Sequence, residues 1–158
     1  MEISDYQEAL RLIGENPDDA DFEGEQSEEL VVRAEEVLGS SFPEPYRSFL
    51  RDLGCGDFAG EEIFGIMDEE FEASAVPDAV WFTLELRKKS GLPEGLTAIG
   101  EMAEHEILVL DCGKESPSRG AVFLVSLEDP LDTGSWELIA PDFGEYLLSL
   151  VRSSLQED

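Results

Sequence analysis

Basic side chains are the scarcest resource in this chain: ten Lys and Arg stand against 38 Asp and Glu in 158 residues, a formal net charge of −28. Gripping nucleic acid or an anionic membrane relies on Lys and Arg neutralising phosphate, so both are excluded as partners. Only two cysteines occur, Cys55 and Cys112, and they form no C-x-x-C pair. That excludes a disulfide framework and predicts reduced thiols in a cytoplasmic protein. Histidine is limited to His105, set between Glu104 and Glu106. A lone histidine there reads as a surface residue, which removes the base that a Ser–His or Cys–His nucleophile needs. One His and two Cys are also too few for a four-ligand zinc site. No apolar run approaches the eighteen or so residues of a membrane helix. Met1 to Asp5 offers neither a basic nor an apolar leader region, so no signal peptide is expected. Neither a phosphate-cradling G-x-x-x-x-G-K-[ST] loop nor a G-x-G-x-x-G turn is present.

What remains is ample for a core. Apolar residues make up 42% of the chain, and this length suits one domain spanning 1–158. Ser4 opens a capping signal with Gln7, and Tyr6, Ala9, Leu10 and Ile13 follow at helical spacing up to Gly14. Residues 15–26, rich in carboxylates and holding Pro17 and Gly24, read as an exposed acidic loop. Ser27 caps a second helix whose face is Leu30, Ala34, Val37 and Leu38, stopped by Gly39. Pro43 or Pro45 begins a third, with Tyr46, Phe49, Leu50 and Leu53 facing inward. A short strand is expected at 63–66 and a fourth helix at 78–90. The period then changes: 96–99, 107–110, 121–127 and 136–139 are β-rich runs, the middle two joined by a turn at 117–120. A last helix from Asp142 to about Leu155 presents Phe143, Leu147, Leu150 and Val151. The order predicts an α+β domain, helices packed on a largely antiparallel sheet of about four to six strands.

Carboxylates are the one abundant reactive group. Asp68, Glu69, Glu70 and Glu72 form the densest cluster, without the glycine or the alternating ligand spacing of a calcium loop. With so many acids, such clusters arise by chance, and no metal, cofactor or catalytic residue is assigned. Asp111, directly after the apolar run 107–110, is expected to accept backbone N–H bonds in a turn before Lys114. Tyr46, Phe49, Phe64, Phe82, Phe123 and Phe143 are expected in the core. In Val80-Trp81-Phe82 three large residues cannot all face inward, which makes Trp81 a candidate interface anchor.

The stretch Glu35…Leu38-Gly39…Phe42-Pro43…Tyr46…Phe49-Leu50…Gly54-Cys55-Gly56, then Glu62-Ile63-Phe64-Gly65, resembles the signature of the SUKH superfamily. Phe42 stands where that family usually has Leu, and Gly54-Cys55-Gly56 where many members have Asn-Gly-Gly. The likeness extends over about residues 27–152, through Gly91-Leu92-Pro93 and the Asp142-Phe143 helix start. It implies a small α+β binding module, not an enzyme. Bacterial members look like immunity proteins that bind and neutralise a cognate toxin, often a nuclease; fungal members are related to regulators of cell-wall synthesis. It also implies structural roles for the matched residues: Pro43 starts a helix, Gly56 and Gly65 permit backbone geometry, Tyr46 and Phe49 pack.

The expectation is thus a cytoplasmic, non-enzymatic immunity protein whose carboxylates cover a basic toxin domain. Glu61, Glu62, Asp68, Glu69, Glu70 and Glu72 are the candidate contact patch, with Trp81 as anchor. An adaptor of the same fold, binding an endogenous partner, is the alternative. The charge also fits a solvated coat adapted to high salt, in keeping with only three lysines.

Overall fold

In a computed structural model of the chain, residues 4–68 and 78–156 are described. These described residues hold five α-helices and seven strands; the helices are α1 (Asp5–Glu15), α2 (Glu28–Leu38), α3 (Tyr46–Asp52), α4 (Ala79–Ser90) and α5 (Phe143–Gln156). Seven strands, β1 (Ala20–Phe22), β2 (Gly56–Phe58), β3 (Glu61–Ile63), β4 (Leu96–Ala103), β5 (Glu106–Asp111), β6 (Val122–Ser126) and β7 (Glu137–Ala140), divide into two antiparallel sheets. Their orders are β1-β2-β3 and β4-β5-β6-β7. The α+β class stands, with two sheets in place of one.

Local chemistry explains the helix ends. The Ser4 and Ser27 hydroxyls accept from the backbone N–H of Gln7 (3.2 Å) and Leu30 (3.1 Å). Asp78 and Asp142 do the same for Trp81 (3.0 Å) and Glu145 (2.9 Å). Gly39 and Gly91 close α2 and α4 in the left-handed conformation that glycine adopts at little cost.

The period-2 pattern sorts β5 onto two layers. Leu108 and Leu110 face the main core, where they meet residues of α1, α2, α3 and α5, including Ala9, Val31, Tyr46, Phe49, Phe143 and Leu147. Ile107 and Val109 face a smaller cluster made with Leu86, Leu92, Ala98 and Val125. A strand buried on both faces reads as an unbroken apolar run, which is how 107–110 reads.

Several expectations shift. Ala20–Phe22, inside the segment read as an exposed loop, is a strand, because Ala20, Asp21 and Phe22 pair with Phe58, Asp57 and Gly56. The strand expected at 63–66 is Glu61–Ile63, and Gly56–Phe58, read as loop, pairs with it. Val37 is exposed, since the α2 stripe runs through Leu30, Val31, Ala34 and Leu38. Phe82 and Phe123 are half-buried at the margin of the smaller cluster.

Three arginines are committed to contacts between elements. Arg47 pairs with Glu28 and Glu35, tying α3 to α2. Arg87 donates to the Leu38 carbonyl (3.0 Å) at the α2 C-terminus and to that of Glu94 (2.8 Å). Arg119 donates to the Cys112 carbonyl (2.7 Å) and the Ser41 hydroxyl (3.1 Å). Part of the scarce positive charge thus joins elements.

Candidate functional site

The three-stranded sheet turns that charge into a pattern. In β1, β2 and β3 alternate residues share a face, and Phe58 and Ile63 point into the core. Their neighbours Asp21, Asp57 and Glu62 therefore point the other way, and the register sets Asp21 opposite Asp57 and Asp57 opposite Glu62. Like charges directly opposed across a sheet are destabilising. Glu23, beside the row, joins these three around a shallow cavity of about 230 Å³. Among the described residues no Lys or Arg forms an ion pair with the row; Arg11, Arg47, Arg51 and Lys89, for example, pair with acids elsewhere.

Close strand approach makes this face possible. A Cβ on Gly56 would lie 2.1 Å from the Asp21 carbonyl oxygen and 2.6 Å from the Phe22 Cα. Only glycine lets β1 lie against β2 there. Asp57 has a second task, its Oδ1 accepting from the Gly60 N–H at 3.3 Å in the β2–β3 turn. Asp57→Asn keeps that acceptor and removes one of the opposed charges. It should raise stability by about 0.5 kcal/mol, read as a higher urea midpoint at low salt, with the gain vanishing in molar salt.

Of the residues singled out in the sequence, Glu61 and Glu62 sit exposed on β3, Asp68 is exposed beyond it, and Glu69, Glu70 and Glu72 lie outside the described residues. Glu61 and Glu62 also border a second cavity of about 240 Å³ with Glu101 and Tyr146. Trp81 is half-buried on the first turn of α4, whose start is held by the Ala79 N–H on the Gly65 carbonyl (2.7 Å). Sequence reasoning missed Asp21, Glu23 and Asp57. They stand among dozens of acids, and only strand pairing places them beside Glu62. A groove of about 510 Å³ between α1, α3 and the start of α5 is acidic too, lined by Asp5, Glu44, Asp52 and Asp142. There the Tyr6 hydroxyl donates to Asp52 Oδ2 at 2.7 Å.

The remaining reactive groups are quiet. His105 is exposed in the β4–β5 turn, its Nε2 3.5 Å from Glu104. Asp111 behaves as a turn acceptor: Oδ1 takes the Gly113 N–H (2.9 Å) and Oδ2 takes the Ser116 and Ser118 hydroxyls (2.6 Å each). No group of three His, Cys, Asp or Glu among the described residues is arranged to hold a metal ion. Burial pushes the Cys55 thiol up to about 12 and that of Cys112 up to about 11. The thiolate is the nucleophile, so neither cysteine should react with a thiol reagent at pH 8 until the protein unfolds. A reagent titration counting two thiols only in denaturant checks this; native labelling would contradict the burial. Both thiols bind their protons more tightly when folded. Their contribution to stability is therefore complete below the ordinary thiol range and is lost as pH rises through about 11 to 12.

No helix among the described residues is long and apolar enough to cross a membrane. No curated protein matches the chain. The family model SUKH_6, described as SMI1-KNR4 cell-wall, matches residues 28–147, a span from the start of α2 into α5 that takes in both halves of the β2–β3 hairpin and the whole four-stranded sheet. The match covers well over half of the 158 residues, and the chain belongs to this family of the SUKH superfamily.

Proposed function

We propose that the protein is a cytoplasmic, non-enzymatic binding module, an immunity protein that neutralises a basic toxin domain, in keeping with bacterial relatives of the superfamily. One observation carries the reading: the Asp21–Asp57–Glu62 row opposes like charges across a sheet with no described cation to relieve them. Such a row lowers stability and is relieved by a partner's Arg or Lys. The net charge of −28 extends this attraction outward, raising the encounter rate with a basic surface. A toxin that grips phosphate is basic where it does so, and a carboxylate face there excludes substrate. The contact patch comprises Glu61, Glu62 and Asp68 on β3 and after it, Glu69, Glu70 and Glu72 beyond, and Trp81 as anchor. Asp21 and Asp57 extend it across the sheet on the face of Glu62, while Glu61, opposite Phe58 in the register, belongs to the rim on the other side.

Affinity capture at low salt from the source cell's lysate and secreted fraction tests the reading. One basic protein at near-stoichiometric yield, released as salt rises and losing its toxic activity when bound, is the expected result. Equal recovery of many abundant basic proteins identifies a salt-adapted coat instead. A captured partner without toxic activity, unlinked to any toxin reading frame, favours the adaptor alternative.

A further inference from the structure

The four-stranded sheet ends in β7, which pairs with β6 on one side and has no described strand on the other. Open edges on natural sheets are usually short, charged or covered, because their free N–H and C=O groups template further pairing. This one is short, four residues with Glu137 at its start, but its middle is apolar: Leu138 is 58% exposed, Ile139 37%, and Leu131, in the loop before it, 72%. Leu138 lies opposite Phe123, whose ring packs on Trp136 at 5.6 Å between centroids. The exposed surface is therefore continuous with the smaller core cluster, which Phe123 and Trp136 border. A register shift between Val122 and Phe123 leaves Ile139 without a partner in the β6–β7 pairing.

Charge selects the occupant. From Gly120 to Val151 the chain contains no Lys, Arg or His, and Glu128, Asp129, Asp132 and Glu137 are exposed around the apolar residues. A second copy brings the same carboxylate rim and the same −28, so self-pairing is repelled. A segment alternating apolar and basic residues satisfies both features. Its backbone bonds to the β7 edge, its apolar side chains meet Leu138 on the face that Leu138 shares with Phe123, and its cations meet Glu137 and the rest of the acidic rim.

The geometry points to β7 as a strand-addition site for an extended, basic segment of a partner protein, an inference that rests on the basic-partner reading above. The two acidic regions then divide the work: the β1–β3 face steers the partner and the β7 edge anchors it.

The test uses the full chain, an octapeptide of alternating Lys and Val, and the same peptide N-methylated at alternate residues so that one edge cannot pair. In amide NMR titrations the unmodified peptide should shift Glu137 to Ala140 and slow their hydrogen exchange, while the methylated peptide should bind about tenfold more weakly. The Leu138→Glu/Ile139→Glu variant, substituted at exposed positions, should also bind about tenfold more weakly although it is more acidic. Equal or tighter binding by this variant, equal binding of the methylated peptide, or no shift at residues 137–140 overturns the site, because each is what charge alone predicts. A captured basic partner that binds wild type and variant equally also overturns it, yet leaves the basic-partner reading intact. Failure to capture any such partner overturns that reading, and the peptide titration still decides the edge.

Discussion

Gly65→Ala should cost about 3–5 kcal/mol, a large share of the stability of a domain this size. A Cβ at that position would sit 1.8 Å from the Gly54 carbonyl oxygen and 2.9 Å from its carbon. Both are backbone atoms, so no rotamer change relieves the contact. Nor can the backbone drift, because the segment is held on every side. The Phe64 N–H donates to Ile99 (2.9 Å) and the Ile66 N–H to Gly54 (3.0 Å), while the Gly65 carbonyl accepts from Ala79 (2.7 Å). The Phe64 carbonyl takes the hydroxyl of Tyr46, a fully buried residue, at 2.9 Å. Here α3, the three-stranded sheet, β4 and α4 meet, and one methyl group forces them apart. Urea unfolding followed by circular dichroism measures the loss. Gly14→Ala is the matched control: it lies within α1, nothing stands within 4 Å of its Cβ, and the change should stabilise by about 0.5–1 kcal/mol. A near-neutral Gly65→Ala would show that the junction is not rigid at this position.

The second large effect is kinetic. Combining Asp21→Asn, Asp57→Asn and Glu62→Gln should slow association with the captured basic partner about tenfold at low salt and flatten its salt dependence. The same variant should unfold at higher urea, because the opposed charges of the row are gone. The opposite signs matter. A solvated coat predicts the gain in stability without the slower association, so stopped-flow binding and urea unfolding on one variant separate the two. Unchanged association in both rate and salt slope would place the contact elsewhere.

Much of this protein was legible in its sequence because the signals are local. Serines and aspartates at helix starts, glycines at helix ends, and the 3.6-residue stripes of α1, α2, α3 and α5 announce themselves within a few residues. So does the buried strand at 107–110, and so do the Gly and Tyr positions shared with the SUKH superfamily. Misplaced elements share one cause. β1 and β2 are three residues each, polar in part and rich in glycine nearby, and they exist as strands because they pair with each other across more than thirty positions of chain. Phe123 and Trp136 read as apolar, but how far α4 extends over their face is a matter of packing. The carboxylates show the division most sharply. Composition alone determined that the protein is strongly acidic and holds one histidine and two cysteines, and it set the expectation that the partner is basic. Which three of its 38 acids stand in one row, and which edge of which sheet stays apolar and open, was decided by strand register, a property of residues far apart in sequence.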